Sequence, residues 1–288
     1  MRRIKRGWGL TKKSWELLNE HRELLRFPLY GAIATIVPAV AFLGPGLYLF
    51  DSDQLAGAIP LIVIGVYALS VVGFFFSVAL AACADMIFRG QQASVADGLA
   101  VARSRFAQIC GWAAVSTAIS AVMGVLENQG GIGGQIAARV VGMAWSLVTF
   151  LAVPVIAIEG TGPFQTIGRS ASMFKSRWGQ QITGNIAIGG AVFLFGVLPA
   201  VLLIVIGVAV WPSASFLGAL LVVVGALLFA ISLLVSKALT GIFGVALYRY
   251  ALDGETVGGF TAEELESAVK AKGRGRAASP PGATPGTV

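Results

Sequence analysis

Long apolar runs constrain this chain more than any other feature of its sequence. A helix needs about 20 mostly apolar residues to cross the roughly 30 Å hydrocarbon core of a bilayer. Six stretches reach that length: 29–50, 58–82, 107–126, 138–158, 183–209 and 215–248. Their length and their Gly and Ala content favour helices over the short alternating strands of a membrane barrel. We therefore predict an all-α fold, a polytopic membrane bundle of six transmembrane helices.

The composition excludes several other classes of protein. Charged residues make up 12% of the 288 residues, whereas soluble domains usually contain about 25%. The apolar fraction is 56% and the mean hydropathy is +0.81, so an ordinary soluble enzyme and a disordered chain are both excluded. Two cysteines are too few to hold a disulfide scaffold together.

The distribution of charge predicts the orientation in the membrane. Of the 21 Lys and Arg residues, 19 lie on one predicted side, and the opposite loops carry Asp51, Asp53, Glu127 and Arg139. Because cytoplasmic loops collect Lys and Arg, both termini are predicted to be cytoplasmic, in a multi-pass protein of the cell (inner) membrane. The same rule accounts for the net charge of +7. Membrane lipids are therefore the expected partners of the basic loops, and nucleic acid is not.

Three regions follow from these patterns. Residues 1–28 form a basic cytoplasmic arm, in which residues 10–26 have the period of an amphipathic helix. Residues 29–252 form the transmembrane domain. Residues 253–288 are predicted to contain a short helix, opened by the capping-box sequence Thr261-Ala262-Glu263-Glu264, and then a disordered cytoplasmic tail.

An internal repeat relates parts of the chain. Arg103-Ser104-Arg105-Phe106-Ala107-Gln108 matches Lys175-Ser176-Arg177-Trp178-Gly179-Gln180, 72 residues later, and Lys13-Ser14-Trp15 is a weaker third copy. Each copy lies in a predicted amphipathic helix before an odd-numbered transmembrane helix. We therefore predict a three-fold parallel pseudo-repeat, with cytoplasmic amphipathic helices before transmembrane helices 1, 3 and 5.

Residue sets for catalysis or metal binding are lacking in the sequence. His21 is the only histidine, and the two cysteines, Cys83 and Cys110, are distant in sequence, so a tetrahedral zinc site is not expected. The Gly-rich segment 130–134 follows an apolar helix and lacks the strand–turn–helix context of a nucleotide site. We predict neither a catalytic set nor a cofactor or metal, and expect that the protein is not an enzyme.

Polar groups at membrane depth are the remaining candidates, because an unpaired charge there is costly. They are Asp85, Glu159, Lys237 and Asn185. Lys237 either snorkels to the interface or pairs with Asp85 or Glu159, and pairing is our hypothesis. Asn185 is expected to form an interhelical hydrogen bond. Glu127 and Arg139 are predicted to form an ion pair across the short outer loop.

Several short strings occur together in this chain, among them Phe27-Pro28, Gly142-Met143-Ala144-Trp145-Ser146, Val153-Pro154-Val155, Glu159-Gly160, Gly184-Asn185 and Ala246-Leu247-Tyr248-Arg249-Tyr250. As a set they resemble a known family of six-helix prokaryotic membrane proteins, domain of unknown function 6159. The resemblance covers roughly residues 6–255. It implies the topology and the membrane location, and it assigns no site residue. Lys237 departs from the small or neutral polar residue expected there.

Two classes of function fit these features best. A non-catalytic scaffold or accessory subunit, docking a membrane-protein partner or a second copy through its amphipathic helices, fits the lack of a catalytic set. The alternative is a transporter, channel or lipid-handling protein for a small or amphiphilic substrate, because helices interrupted by Pro and Gly and deep charges occur in such proteins.

Overall fold

The structure is a computed structural model that describes residues 16, 18–129, 131–178, 193–262 and 265. These residues are mainly helical, and no strand occurs among them. We number the main helices in chain order: α1 (Arg22–Asp51), α2 (Leu55–Phe88), α3 (Val95–Ser104), α4 (Phe106–Gln129), α5 (Gly131–Glu159), α6 (Pro163–Trp178), α7 (Leu198–Val210) and α8 (Ser215–Asp253).

Four of these helices, α1, α2, α4 and α8, are long and apolar enough to cross a membrane. The segments Val148–Glu159 of α5 and Pro163–Lys175 of α6 are bent by 115° and count as a fifth candidate if taken as one span. Helices of this kind indicate a multi-pass membrane protein. The predicted span 138–158 lies within α5, whereas residues 183–192 of the predicted fifth span, including Asn185, lie outside the described residues.

Several helices extend beyond the apolar runs that predicted them. Helix α2 has 34 residues and α8 has 39, which corresponds to about 51 Å and 58 Å of helix at 1.5 Å per residue. Both lengths exceed the roughly 30 Å hydrocarbon core. The turns of both helices at one end are stabilised by packing against other helices, because Val78–Asp85 of α2 and much of 238–251 in α8 are buried.

Proline interrupts regular hydrogen bonding in two of the helices. In α1, a π-helical turn at Ala39–Leu43 lies between Pro38 and Pro45. A second π-helical turn, Phe193–Val197, comes directly before α7 and Pro199. Because proline has no backbone N–H, it removes a hydrogen bond of the helix and favours such local rearrangements. The prolines at positions 38, 45 and 199 therefore accompany the irregular turns at these two places.

The described helices pack as three hairpins, α1 with α2, α4 with α5, and α7 with α8. At one end, which we call the hairpin end, lie turns 52–54 and 211–214 and the passage from α4 to α5. At the other, which we call the core end, lies the buried core, with Leu24, Trp112, Leu151, Phe243 and Tyr248 among its residues. Large apolar side chains are exposed along the hairpin-end half, among them Val37, Tyr48, Val63, Val208 and Phe216.

Two shorter helices cover the core end. Helix α3 begins at a capping box between Ser94 and Asp97, and its Gly98 lies against the backbone of α2 near Ala79. Helix α6 buries Thr166 and Ser170, and the Ser170 hydroxyl donates a hydrogen bond to the Val148 carbonyl of α5 at 2.7 Å. Both helices are therefore part of the packed core end.

The regions predicted at the termini and at the repeat are described only in part. In the arm, Leu18 and Leu24 are buried while Glu16, Asn19 and Glu20 are exposed, and residues 1–15 lie outside the described residues. The string 103–108 covers the junction of α3 and α4, and its counterpart 175–180 reaches the end of α6, where residues 179 and 180 are not described. The tail beyond Leu265 is also not described.

Candidate functional site

Ionisable side chains meet at the core end in a group that we call the polar cluster: Asp85, Arg89, Glu159, Arg169, Tyr248 and Arg249. Its centre is α8, where Tyr248 and Arg249 are neighbours. Consecutive side chains on a helix point about 100° apart, so these two residues reach different helices. Tyr248 contacts α5, and Arg249 contacts α2. The polar cluster thereby connects all three hairpins.

Asp85 of α2 is almost fully buried, at 5% exposure, and binds two arginines. Arg249 Nε donates to Asp85 Oδ1 at 2.7 Å, and Arg249 Nη2 lies 2.6 Å from the same oxygen. Arg89, one helical turn beyond Asp85, places Nη2 2.9 Å from Oδ2. The side chain of Arg249 is 13% exposed and that of Arg89 is 49% exposed. The Arg249 pair is therefore the buried one of the two.

Glu159, the last residue of α5, forms the second half of the cluster. Arg169 Nε of α6 donates to both Glu159 oxygens, at 2.8 and 3.1 Å. The hydroxyl of buried Tyr248 donates to Oε1 at 2.8 Å. A carboxylate that accepts bonds from a guanidinium and a phenol has most of its hydrogen-bonding capacity filled.

The turn after Glu159 is shaped by glycine. Gly160 has φ +67°, a left-handed conformation that glycine adopts without steric cost. A Cβ atom at this position would also overlap the Arg105 guanidinium. Glycine at position 160 thus lets the chain reverse from α5 to α6 while Arg105, at the junction of α3 and α4, packs directly on the turn.

This arrangement is suited to holding helices together. Both carboxylates of the polar cluster, Asp85 and Glu159, accept hydrogen bonds from donors on other helices. Among the described residues, no three His, Cys, Asp or Glu side chains come together as a possible metal site. Cys83 is buried and Cys110 is partly buried.

The hypothesis that Lys237 pairs with Asp85 or Glu159 is wrong. Those carboxylates bind arginines from α2, α6 and α8. Lys237 is an exposed residue and forms no ion pair with any described residue. It lies three helical turns before Arg249, about 18 Å along α8, which is too far from the polar cluster for contact. It lines a pocket between helices instead.

The predicted outer pair is also wrong. Glu127 and Arg139 lie near the hairpin end of α4 and α5, and both are exposed. No ion pair joins them in the described part of the chain. An ion pair between exposed side chains contributes little free energy. Leaving Glu127 and Arg139 separately solvated therefore costs little stability. The hydrogen bond predicted for Asn185 lies outside the described residues.

Sequence reasoning missed four members of the polar cluster: Arg89, Arg169, Tyr248 and Arg249. Tyr248 and Glu159 are 89 residues apart, and Arg249 and Asp85 are 164 apart, so no spacing rule relates them. Two of the strings that resemble the family, Glu159-Gly160 and Ala246-Leu247-Tyr248-Arg249-Tyr250, contain members of the polar cluster. These strings were the sequence feature that could have pointed to it.

Comparison with known proteins identifies one family. The model of the family of unknown function DUF6159 matches residues 27–259, a range that contains every member of the polar cluster. No curated protein matches the chain. Since the family model covers far more than half of the 288 residues, the chain belongs to the family of unknown function DUF6159.

Proposed function

We propose that this protein is a non-catalytic membrane scaffold or accessory subunit, whose core end binds a membrane-protein partner or a second copy of the chain. The observation that carries the proposal is the polar cluster. It connects three hairpins through Tyr248 and Arg249, and both of its carboxylates accept hydrogen bonds from protein donors. Such a cluster stabilises one arrangement of helices, which is what a docking platform requires.

The proposed topology has six transmembrane helices, arranged as three parallel hairpins that are each preceded by an amphipathic helix. The protein spans the cell (inner) membrane, and its core end faces the cytoplasm. The described charges support this orientation. The core end carries the basic residues Arg22, Arg26, Arg89, Arg103, Arg105, Arg169, Lys175 and Arg249. The hairpin end carries Asp51, Asp53, Glu127 and one arginine, Arg139. Cytoplasmic loops are enriched in Lys and Arg.

The docking surface that we propose is the start of α6. Phe164 there is 78% exposed, although it belongs to the end of the molecule where most large apolar side chains are buried. Aromatic side chains, phenylalanine included, are enriched at protein interfaces. Membrane lipids surround the exposed apolar half, and the proposal includes no nucleic acid.

The alternative, a transporter, channel or lipid-handling protein, predicts a pathway lined by Asp85, Glu159 or Lys237. Lys237 lines the pocket between helices, and neither Asp85 nor Glu159 does. Lys237 therefore keeps the alternative open, whereas Asp85 and Glu159 support only the role of the polar cluster in joining helices. Lipid binding at Lys237 is a distinct question.

A matched pair of phenylalanines tests the scaffold. Phe164 and Phe216 are both highly exposed, at 78% and 84%, but Phe216 lies at the hairpin end. Tagged protein is extracted from its native membrane in mild detergent, and co-purifying proteins are quantified by mass spectrometry. We expect a stoichiometric partner that Phe164→Ser loses and Phe216→Ser retains. Equal retention by both variants would contradict docking at α6.

A further inference from the structure

A cavity of about 590 Å³ lies between α1, α2, α5 and α8. Its volume is within the roughly 300–1,000 Å³ usual for ligand pockets. Mainly apolar residues line it, including Ala32, Phe76, Phe150 and Leu233, together with Lys237. Ala32, Leu233 and Lys237 are exposed, so the cavity is open at the side of the bundle rather than enclosed.

Lys237 lies where two parts of α8 meet. From Ser215 to Ser236 the helix has no charged residue, and about 22 residues correspond to roughly 33 Å of helix, close to the thickness of the hydrocarbon core. From Ala238 onward most side chains are buried in the core end. With the turn before α8 at one membrane surface, Lys237 lies at the level of the opposite headgroups.

The cavity offers no anionic partner to this lysine. No carboxylate lines it. Three of its hydroxyl groups donate to carbonyls of their own helices, Thr35 to Ala32, Ser77 to Gly73 and Thr149 to Trp145. The lining is therefore an apolar surface with one cation at its edge, which is complementary to a ligand that joins an apolar chain to an anion.

We propose that this cavity binds an anionic phospholipid from the core-side leaflet, with an acyl chain against the apolar lining and the phosphate at Lys237 Nζ. A phospholipid fits because it joins a hydrocarbon chain to an anion at headgroup depth, where Lys237 lies. The site is separate from the polar cluster and does not depend on the proposed scaffold role.

The chain offers matched variants for a test. Gly73 lines the cavity, and a Cβ atom added there would meet no atom of another part of the chain within 4 Å, so Gly73→Leu places a side chain in the cavity from a point with open space. Gly44 is a helical glycine in equally open space outside the cavity, and Gly44→Leu is its control. Lys237→Gln removes the cation, Lys237→Arg keeps it, and Arg139→Gln removes an exposed cation elsewhere.

The full-length protein is placed in phosphatidylcholine vesicles that contain phosphatidylglycerol with a photoreactive acyl chain, and labelled peptides are mapped by mass spectrometry. We expect labelling of 28–35, 73–80 and 233–244 above that of other lipid-exposed segments. Lys237→Gln should lower this labelling about five-fold, Lys237→Arg should restore it, and Gly73→Leu should lower it as well. The controls Gly44→Leu and Arg139→Gln should leave it unchanged.

A parallel arm uses the same photoreactive chain on phosphatidylcholine, whose labelling Lys237→Gln should not change. Two results would overturn the proposal: uniform labelling of all exposed segments, or an equal loss with Arg139→Gln. Soluble glycerol phosphate and unlabelled phosphatidylglycerol are also added as competitors of the labelling. If both reduced the labelling equally, the proposal would be overturned, because the acyl chain would then contribute nothing to binding.

Discussion

Asp85 and Arg249 illustrate what single residues contribute to this fold. Removing one partner of a buried ion pair leaves the other charge without compensation, at a cost of about 3–5 kcal/mol. We therefore expect Asp85→Asn to lower the free energy of unfolding by that amount, measured by equilibrium unfolding in mild micelles. Asp51→Asn, at an exposed carboxylate of the hairpin end, should change it by no more than about 0.5 kcal/mol.

A double substitution sharpens this prediction. In Asp85→Asn with Arg249→Met, neither charge remains buried, and an apolar residue replaces the guanidinium. The double variant should be less destabilised than the sum of the single variants, because replacing both partners of a buried pair is often close to neutral. Simple additivity of the two effects would show that Asp85 and Arg249 do not stabilise each other.

Tyr248 carries the second connection from α8. Its hydroxyl donates to Glu159 Oε1 at 2.8 Å, and a hydrogen bond to a charged group contributes about 1.5–3 kcal/mol. Tyr248→Phe should lower the stability by that amount in the same unfolding measurement. Tyr30→Phe is the control, because Tyr30 is 40% exposed. Equal effects of the two substitutions would contradict a role for Tyr248 in joining α5 to α8.

The capping box of α3 has a defined pH dependence. The hydroxyl and the backbone N–H of Ser94 donate to Asp97, and these bonds lower the pKa of Asp97 below its ordinary value. A lowered carboxyl pKa stabilises the folded state above about pH 4. That contribution is lost as the pH falls through the lower pKa of the folded state.

Hydrogen exchange measures this effect. Amides of α3 should be better protected in the wild type than in Ser94→Ala at neutral pH, and the difference should decrease once Asp97 is protonated, when the Ser94 hydroxyl still accepts a hydrogen bond from the Asp97 N–H at 3.3 Å. Ser104→Ala, at the other end of the same helix, is the control. A difference between wild type and Ser94→Ala that does not depend on pH would assign the stabilisation to the hydroxyl alone.

At the scale of elements, close approach of backbones positions the short helices. A Cβ atom at Gly98 would lie 2.6 Å from the Ala79 carbonyl oxygen and 2.8 Å from Phe27 Cζ. Gly98→Ala should therefore displace α3 and destabilise the protein by about 1–3 kcal/mol. Gly168 of α6 is exposed and has nothing within 4 Å, so Gly168→Ala should stabilise by about 0.5–1 kcal/mol. Thermal unfolding in micelles measures both changes.

The positions of the helices were the part of this structure that the sequence predicted best. Five of the six apolar runs lie in described helices, because sustained hydrophobicity in a membrane protein requires regular backbone hydrogen bonding. Their ends were less predictable. Helices α2 and α8 continue past the apolar run where polar residues such as Asp85 and Arg249 find partners on other helices. Those partners are distant in sequence, and local pattern contains no information on them.

The whole molecule divides along its length into a packed core end and an exposed apolar half. The sequence predicts the apolar half from its uncharged stretches, and it predicts the orientation from its arginines and lysines. It does not predict which charges meet. Lys237 shows why: its distance from Arg249 follows from the helical rise, but its neighbours on α1, α2 and α5 depend on packing between hairpins.

The proposed scaffold has a direct consequence for particle mass. The chain alone has a mass of 29.9 kDa. We would extract the tagged protein from its native membrane in mild detergent and determine the mass of the intact particle by native mass spectrometry. The account predicts a particle that contains at least one further protein chain, a partner or a second copy. A single chain of 29.9 kDa without any companion protein would contradict it.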